Sequence, residues 1–444
     1  MSGAGLLMEM GTGKTLTAIG IAGRGYLNGR INRVLIVAPK SVVAVWQEEF
    51  TKFAAFDYVL AVLEGDGKRK AGVLQQLKGT GLQVAVVNYE RAWRLEPELA
   101  KWQPDLIICD ESSRIKNPQA KQSRALHRLA KTTKYRLILT GTPIQNNPLD
   151  FFSQYKFIDE QIFGPSYYAF RARYAVMGGY GNHQIKGYKN LAELVRKAHS
   201  IAFRVTKAEA LELPETVDEI RYITLENRAA KVYTDLERDS YTELAKGEVT
   251  TRNILTRLLR LQQVTGGFIR DDAGCAVEQV SDSKLLALED VIDDILDAGK
   301  KVVVFARFIP EIDAICRKLE RKGLQGAVIT GAVKNRAEQV RRFQEEADCR
   351  VFIAQIQTAG LGITLTAADT AVFYSLDFNY ANYSQARARI HRIGQRNNCL
   401  YIHLVAKNTI DEQILRALQR KEDIAKTLVD NWKTLFAKED VDVG

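Results

Sequence analysis

Short runs of apolar, largely β-branched residues recur along the first part of the chain: VLIVA at 34–38, VAVV at 84–87, LIIC at 106–109 and RLILT at 136–140. A strand that is apolar on every residue needs cover on both faces, which calls for a parallel sheet wrapped by helices. The rhythm returns with VVVF at 302–305, AVIT at 327–330, VFIA at 351–354, TAVFYS at 370–375 and YIHLV at 401–405. The expected fold class is therefore α/β, with two lobes. Residues from about 148 to 270 lack this rhythm and are rich in helix formers, as in NLAELVRKAHS and NRAAKVYTDLERD. They read as helical protrusions, with the connection between lobes near Leu213 to Thr224. The expected domains are an N-terminal lobe over 1–220 with a protrusion at about 148–210, and a C-terminal lobe over 221–444 with a protrusion at about 226–268. The glycine-containing stretches 176–183 and 271–283 read as exposed loops.

Composition narrows the function classes. A hydrophobic share of 46% over 444 residues supports sizeable cores, and no apolar run approaches the length of a membrane span. The N-terminus MSGAGLLMEM has no positive side chain ahead of a hydrophobic segment, so an unexported protein without a membrane partner is expected. Cys109, Cys275, Cys316, Cys349 and Cys399 stand far apart with no C-x-x-C pair, which argues for a reducing compartment and against a disulfide or zinc framework. A net charge of +10 favours a polyanionic partner, most simply nucleic acid.

MGTGKT, at 10–15, precedes the apolar helical pattern LTAIGIAG. Gly11 and Gly13 let the backbone curl around an anion, Thr12 lies in the curl, Lys14 reaches terminal phosphates and Thr15 can hold magnesium. This is the back half of a phosphate-binding loop, for Met8 stands where the full pattern has its first glycine. LIICDESS ends a buried strand with Asp110 and Glu111, where phosphoryl transfer needs a metal-holding and a water-activating carboxylate. The segment QARARIHRIGQ, 385–395, carries Arg387, Arg389 and Arg392 before a turn at Gly394. If helical, it sets Arg389 and Arg392 on one face with Gln385 a turn back, suited to a phosphate or carboxylate cluster; a solvated basic helix is the alternative.

With these residues in hand, the chain resembles the superfamily II helicase-like ATPases and, within them, the Swi/Snf type of double-stranded DNA translocase. The resemblance runs over nearly the whole length: MEMGTGKT, LIVAPKSVVAVWQEEF with Trp46, VVNYERAW, CDESSRIKN, LTGTPIQNN, TAGLGITLTAAD and LDFNYANYSQARARIHRIGQ each look like a motif of that family. FGPSYYAFRARY and FRVTKAEALELP resemble family-specific inserted segments. The resemblance implies two RecA-like lobes that bind ATP and Mg2+ with Gly11, Thr12, Gly13, Lys14, Thr15, Gly362 and Gln385, the metal on Thr15 and Asp110. Arg389 and Arg392 would be arginine fingers, a device that contributes roughly 10³ to 10⁵ in rate. Thr140 and Thr142 would couple hydrolysis to DNA, and Lys40, Ser41, Tyr89, Lys116, Arg307 and Thr358 would touch it.

There are two departures. Only 13 residues precede Lys14, so the upstream glutamine by which the family reads adenine is missing, and either that element was trimmed or adenine selectivity is reduced. Ser112 and Ser113 replace the small residue and histidine of the acidic motif, which would loosen the coupling of hydrolysis to DNA. The expected function is an ATP-dependent, DNA-stimulated duplex translocase that acts on DNA or DNA-bound proteins as a monomer. A strand-separating or annealing helicase and a nucleotide-gated clamp with little turnover are the alternatives. A cytoplasmic location in a bacterial or phage-infected cell is expected, or nuclear if the source is eukaryotic.

Overall fold

The structure is a computed structural model that describes residues 2–63, 74, 77, 79–179, 181, 184–245, 251–270, 277–333 and 335–430. The chain divides into two units: Met1–Glu212 together with Lys421–Gly444, and Leu213–Arg420.

The first unit contains β1 (Gly3–Met8), β2 (Arg33–Ala38), β3 (Tyr58–Val62), β4 (Leu82–Asn88), β5 (Leu106–Asp110), β6 (Tyr135–Leu139), β7 (Ala175–Gly178), β8 (Gln184–Tyr188) and β9 (Ala202–Val205). Seven of these form one sheet in the order β3-β4-β2-β5-β6-β1-β9, every pairing parallel. β7 and β8 make a separate antiparallel hairpin. The apolar runs are buried on both faces, as expected. Along β2, Leu35 and Val37 enter one core with Ile107 and Cys109, while Val34, Ile36 and Ala38 enter the opposite core with Leu106 and Ile108. Each such side chain contributes about 1.5 to 3 kcal/mol by leaving water.

The second unit contains β10 (Thr216–Ile223), β11 (Phe268–Arg270), β12 (Val277–Gln279), β13 (Val302–Ala306), β14 (Gly326–Ile329), β15 (Val351–Gln355), β16 (Thr370–Phe373) and β17 (Cys399–Ala406). Its six-stranded sheet runs β10-β17-β16-β13-β15-β14, again wholly parallel. Two parallel sheets flanked by helices are the fold class read from the sequence.

Several boundaries differ from the expectation. The stretch read as the connection between lobes is largely β10, which pairs with β17 over its whole length from Thr216 to Ile223. A boundary near 220 would cut that strand; the units part after Glu212, and Lys421–Gly444 groups with the first unit. The protrusion at 148–210 has helices Phe151–Ile158, Tyr167–Tyr174 and Leu191–His199, but it also holds the β7–β8 hairpin and contributes β9 to the main sheet. The one at 226–268 is helical, through Asn227–Ala245 and Thr251–Thr265. Of the two stretches read as loops, 180, 182, 183 and 271–276 lie outside the described residues, while Val176–Gly178 and Val277–Gln279 are strand. Cys275 also lies outside them; Cys109, Cys316, Cys349 and Cys399 form no disulfide among the described residues. Among the described residues no helix is long and apolar enough to cross a membrane.

Candidate active site

Because the strands of a parallel sheet point one way, their C-terminal ends share an edge, the usual place for a ligand in such sheets. The order β2-β5-β6-β1 brings four motif-bearing ends together there: Ala38 before Lys40, Asp110 closing β5, Leu139 before Thr140, and Met8 before the glycine loop. Gly11 at φ 87° and Gly13 at φ 91° hold that loop in the left-handed region, and helix α1 (Lys14–Leu27) starts at once after Gly13. A Cβ built on either glycine would meet nothing within 4 Å, so the loop opens onto free space. Lys14 and Thr15 stand in the first turn of α1, where amides and helix dipole favour an anion. Lys14 Nζ donates to the carbonyls of Met8 at 2.8 Å and Glu9 at 2.9 Å, and Thr12 Oγ1 donates to Glu9 O at 2.8 Å.

Asp110 and Glu111 face this loop. Burial first, and then the neighbouring Glu111, push the Asp110 carboxyl up to about 6, against a hydrogen bond from Trp46 that favours the ionised form. Trp46, buried in helix α2 (Val43–Phe53), gives that bond from Nε1 to Asp110 Oδ2 at 3.0 Å. Burial lowers the pKa of Lys14, while Glu111 and Asp110 oppose that change. Glu111 sits at φ 53°, a left-handed conformation that costs a non-glycine residue about 1 to 2 kcal/mol and is common where geometry serves a site. Its Oε1 accepts from Ser113 Oγ at 2.9 Å and from Thr140 Oγ1 at 3.4 Å. Thr140 in turn accepts from the Thr142 amide at 3.1 Å, and Thr142 Oγ1 is a buried hydroxyl without a partner among the described residues. The serine standing in place of the motif's histidine thus touches the carboxylate directly. Ser112 is tied to Gln154, whose amide also holds Pro143 O and Asp150 O, and Asp150 caps the amides of Gln145 and Asn146.

In the second unit the arginine segment is not one continuous helix. The helix Tyr380–Arg387 carries half-buried Gln385 and ends there, while Arg389 and Arg392 lie in the turns beyond it. Gln395 Nε2 stabilises this exit by bonding the carbonyls of Ala368 at 2.8 Å and Ile390 at 3.2 Å. Arg389 and Arg392 nevertheless converge, each donating to Ile363 O, at 3.2 and 3.1 Å, next to Gly362 at φ 75°. Arg387 belongs elsewhere: it pairs with Asp218 and lies 3.9 Å from the Tyr401 ring centroid.

The residues expected to touch DNA do not share one environment. Lys40 is exposed and Ser41 half-buried, in the turn that leads to α2. Tyr89 lies in the core, 2% exposed, and its hydroxyl donates to Asp110 O at 2.7 Å. Lys116 is half-buried on Gln145 Oε1 at 2.6 Å. Arg307 turns inward to Gln262, over the Phe308 ring, and Thr358 Oγ1 donates to Gln355 O at 2.6 Å. Sequence reasoning assigns no role to Trp46 or Gln154, both of which brace the site.

The SNF2-related domain matches residues 1–266, and the helicase conserved C-terminal domain matches residues 283–394. The chain belongs to the SNF2 family. Its SNF2 relatives include an uncharacterized ATP-dependent helicase of Mycoplasma genitalium, 28% identical over 95% of this chain and 40% of that protein. A chromodomain-helicase-DNA-binding protein 1-like of Mus musculus is 28% identical over 95% and 47% respectively, and a DNA repair and recombination protein RAD54-like of Drosophila ananassae is 26% identical over 95% and 59%. The chain spans about half the length of these curated relatives. Among solved structures, the Sulfolobus solfataricus SWI2/SNF2 ATPase core in complex with dsDNA is 26% identical, covers 99% of this chain and 91% of that one, and has a TM-score of 0.43.

Proposed function

We propose that this SNF2-family chain is a DNA-dependent ATPase that moves along duplex DNA. The observation that carries the reading is the meeting, at one sheet edge, of Lys14 at a glycine-opened helix start with Asp110 and Glu111, and the tie from Glu111 through Thr140 to the LTGTP loop. The donor set fits a magnesium polyphosphate. Asp110 and Thr15 would hold the metal, which supplies charge neutralisation and orients the phosphates; Lys14 would bind their terminal oxygens. Glu111 is the base that orients and deprotonates the attacking water, and its strained backbone aims it. In the second unit Arg389 and Arg392, which share the Ile363 carbonyl, form a pair of guanidinium groups suited to a phosphate oxyanion. The net charge of +10 supports phosphate-backbone contacts without sequence reading, with exposed Lys40 as the first candidate.

The test is steady-state ATPase without nucleic acid, with single-stranded DNA and with blunt duplex, beside the Glu111→Gln and Lys14→Ala variants. Stimulation by duplex above single strand, and a loss of about 10² to 10⁴ in turnover in Glu111→Gln, are expected. Stimulation by single strands with strand separation would replace the translocase by a helicase. Nucleotide and DNA binding with no turnover would replace it by a clamp.

A further inference from the structure

The entrance of the phosphate loop is fastened to β9, the sheet neighbour of β1 though remote in sequence, by two residues that the catalytic reading does not use. Glu9, the first loop residue after β1, is gripped three times by residues at the end of β9 and just beyond it. Its amide donates to Val205 O at 2.9 Å, its Oε2 accepts from the Lys207 amide at 2.6 Å, and its Oε1 lies 3.5 Å from Arg204 Nη2. The Arg204 side chain is only 7% exposed, and its Nη1 donates to Leu7 O at 2.7 Å. Three successive carbonyls at the loop entrance therefore each meet a cation: Leu7 O from Arg204, and Met8 O and Glu9 O from Lys14. The two cations differ in what they can do next. Arg204 is fixed by a rigid fork to both the strand end and Glu9, whereas Lys14 is a flexible ammonium that must leave its carbonyls to meet a phosphate. The fork grips the chain beside Met8, where the loop departs from the full pattern.

We propose that Arg204 and Glu9 are positioning residues for the phosphate loop, a latch that keeps its entrance in place when Lys14 is released to a nucleotide. The inference rests on the nucleotide-binding reading of the same loop. The latch also joins that loop to the chain leaving the first unit. Lys207 opens the short helix Lys207–Ala210, capped reciprocally by Thr206 and Glu209, and the second unit begins at Leu213.

Hydrogen exchange of the amides at 10–15, measured without nucleotide in the wild type and in Arg204→Ala, Arg204→Lys and Glu9→Gln, tests the latch directly. Exchange about tenfold faster is expected in Arg204→Ala, with partial recovery in Arg204→Lys, which keeps the charge but not the fork, and a smaller change in Glu9→Gln. The dissociation constant for a fluorescent ATP analogue should rise about tenfold in Arg204→Ala, with kcat at saturating ATP within about twofold of wild type. A purely structural arginine would instead lower the thermal midpoint and reduce kcat through the folded fraction, leaving affinity unchanged. Unaltered loop exchange in a folded Arg204→Ala overturns the proposal; if that variant fails to fold, the same readout in the two conservative variants decides. Faster loop exchange in a protein that binds no nucleotide would keep the latch and remove the ATPase reading instead.

Discussion

Glu311 is a carboxylate kept at 1% exposure where three elements of the second unit meet. Its Oε2 accepts from the amides of Arg307 and Phe308 and from Ser375 Oγ, while Oε1 has no partner among the described residues, and a Cβ on Gly266 would fall 2.2 Å from it. Burial pushes this carboxyl up to about 7, although the hydrogen bonds and the charge of Lys284 pull the other way. The folded protein therefore holds a proton that the unfolded chain has released, so the contribution of Glu311 is full below about pH 4.5 and is lost as pH rises through about 7. Glu311→Gln should match the wild type at pH 4 and exceed it at pH 8 by up to about 3 kcal/mol, read by urea unfolding at the two pH values. A gain at pH 4 as large as at pH 8 would show that repacking, not titration, is responsible.

At the scale of elements, α1 packs so closely that Gly23 has no room for a methyl group: a Cβ there would fall 2.1 Å from the Phe56 ring. Gly23→Ala replaces a residue of poor helix propensity yet should destabilise the first unit by about 1 to 3 kcal/mol, measured by thermal or urea unfolding, because overpacking outweighs propensity. Position within the sheet also explains which elements are legible in the sequence. The central strands, such as β2 and β13, announce themselves because each residue must be apolar to be covered twice. β1 escapes such a reading because GAGLLM carries two glycines in six residues and looks like a turn. β10 escapes it because TVDEIRYI is an edge strand with three charged residues and exposed Val217 and Tyr222, so its composition resembles a connection. Lys14, Asp110 and Glu111 can be named from sequence because their chemistry depends on local spacing at a strand end. The hold of Trp46 on Asp110 spans 64 positions and that of Glu9 on Lys207 spans 198, and no local pattern encodes either. In the arginine segment helical spacing would allow a helix past Arg387, yet the helix stops there and Gln395 Nε2 bonds the Ile390 carbonyl in the turns beyond.

For the molecule as a whole, the first unit is discontinuous in sequence. The helix Ile410–Ala425 begins in the second unit and continues as a π-helical segment at Lys426–Asp430, where Leu428 and Val429, each 2% exposed, complete the first unit's core. The ring of His199, from helix Leu191–His199, hydrogen-bonds the Leu428 backbone, and burial lowers its pKa to about 4. Leu428→Ala should cost about 2 to 5 kcal/mol and speed amide exchange in that helix while leaving the strands of the second unit protected. Equal acceleration in both units would mean that they unfold as one. The discontinuity bears on synthesis as well. A ribosome releases the phosphate loop well before Leu428, so the apolar surface on the same unit waits for that residue until all of the second unit has been made. A unit begun before its neighbour is finished after it.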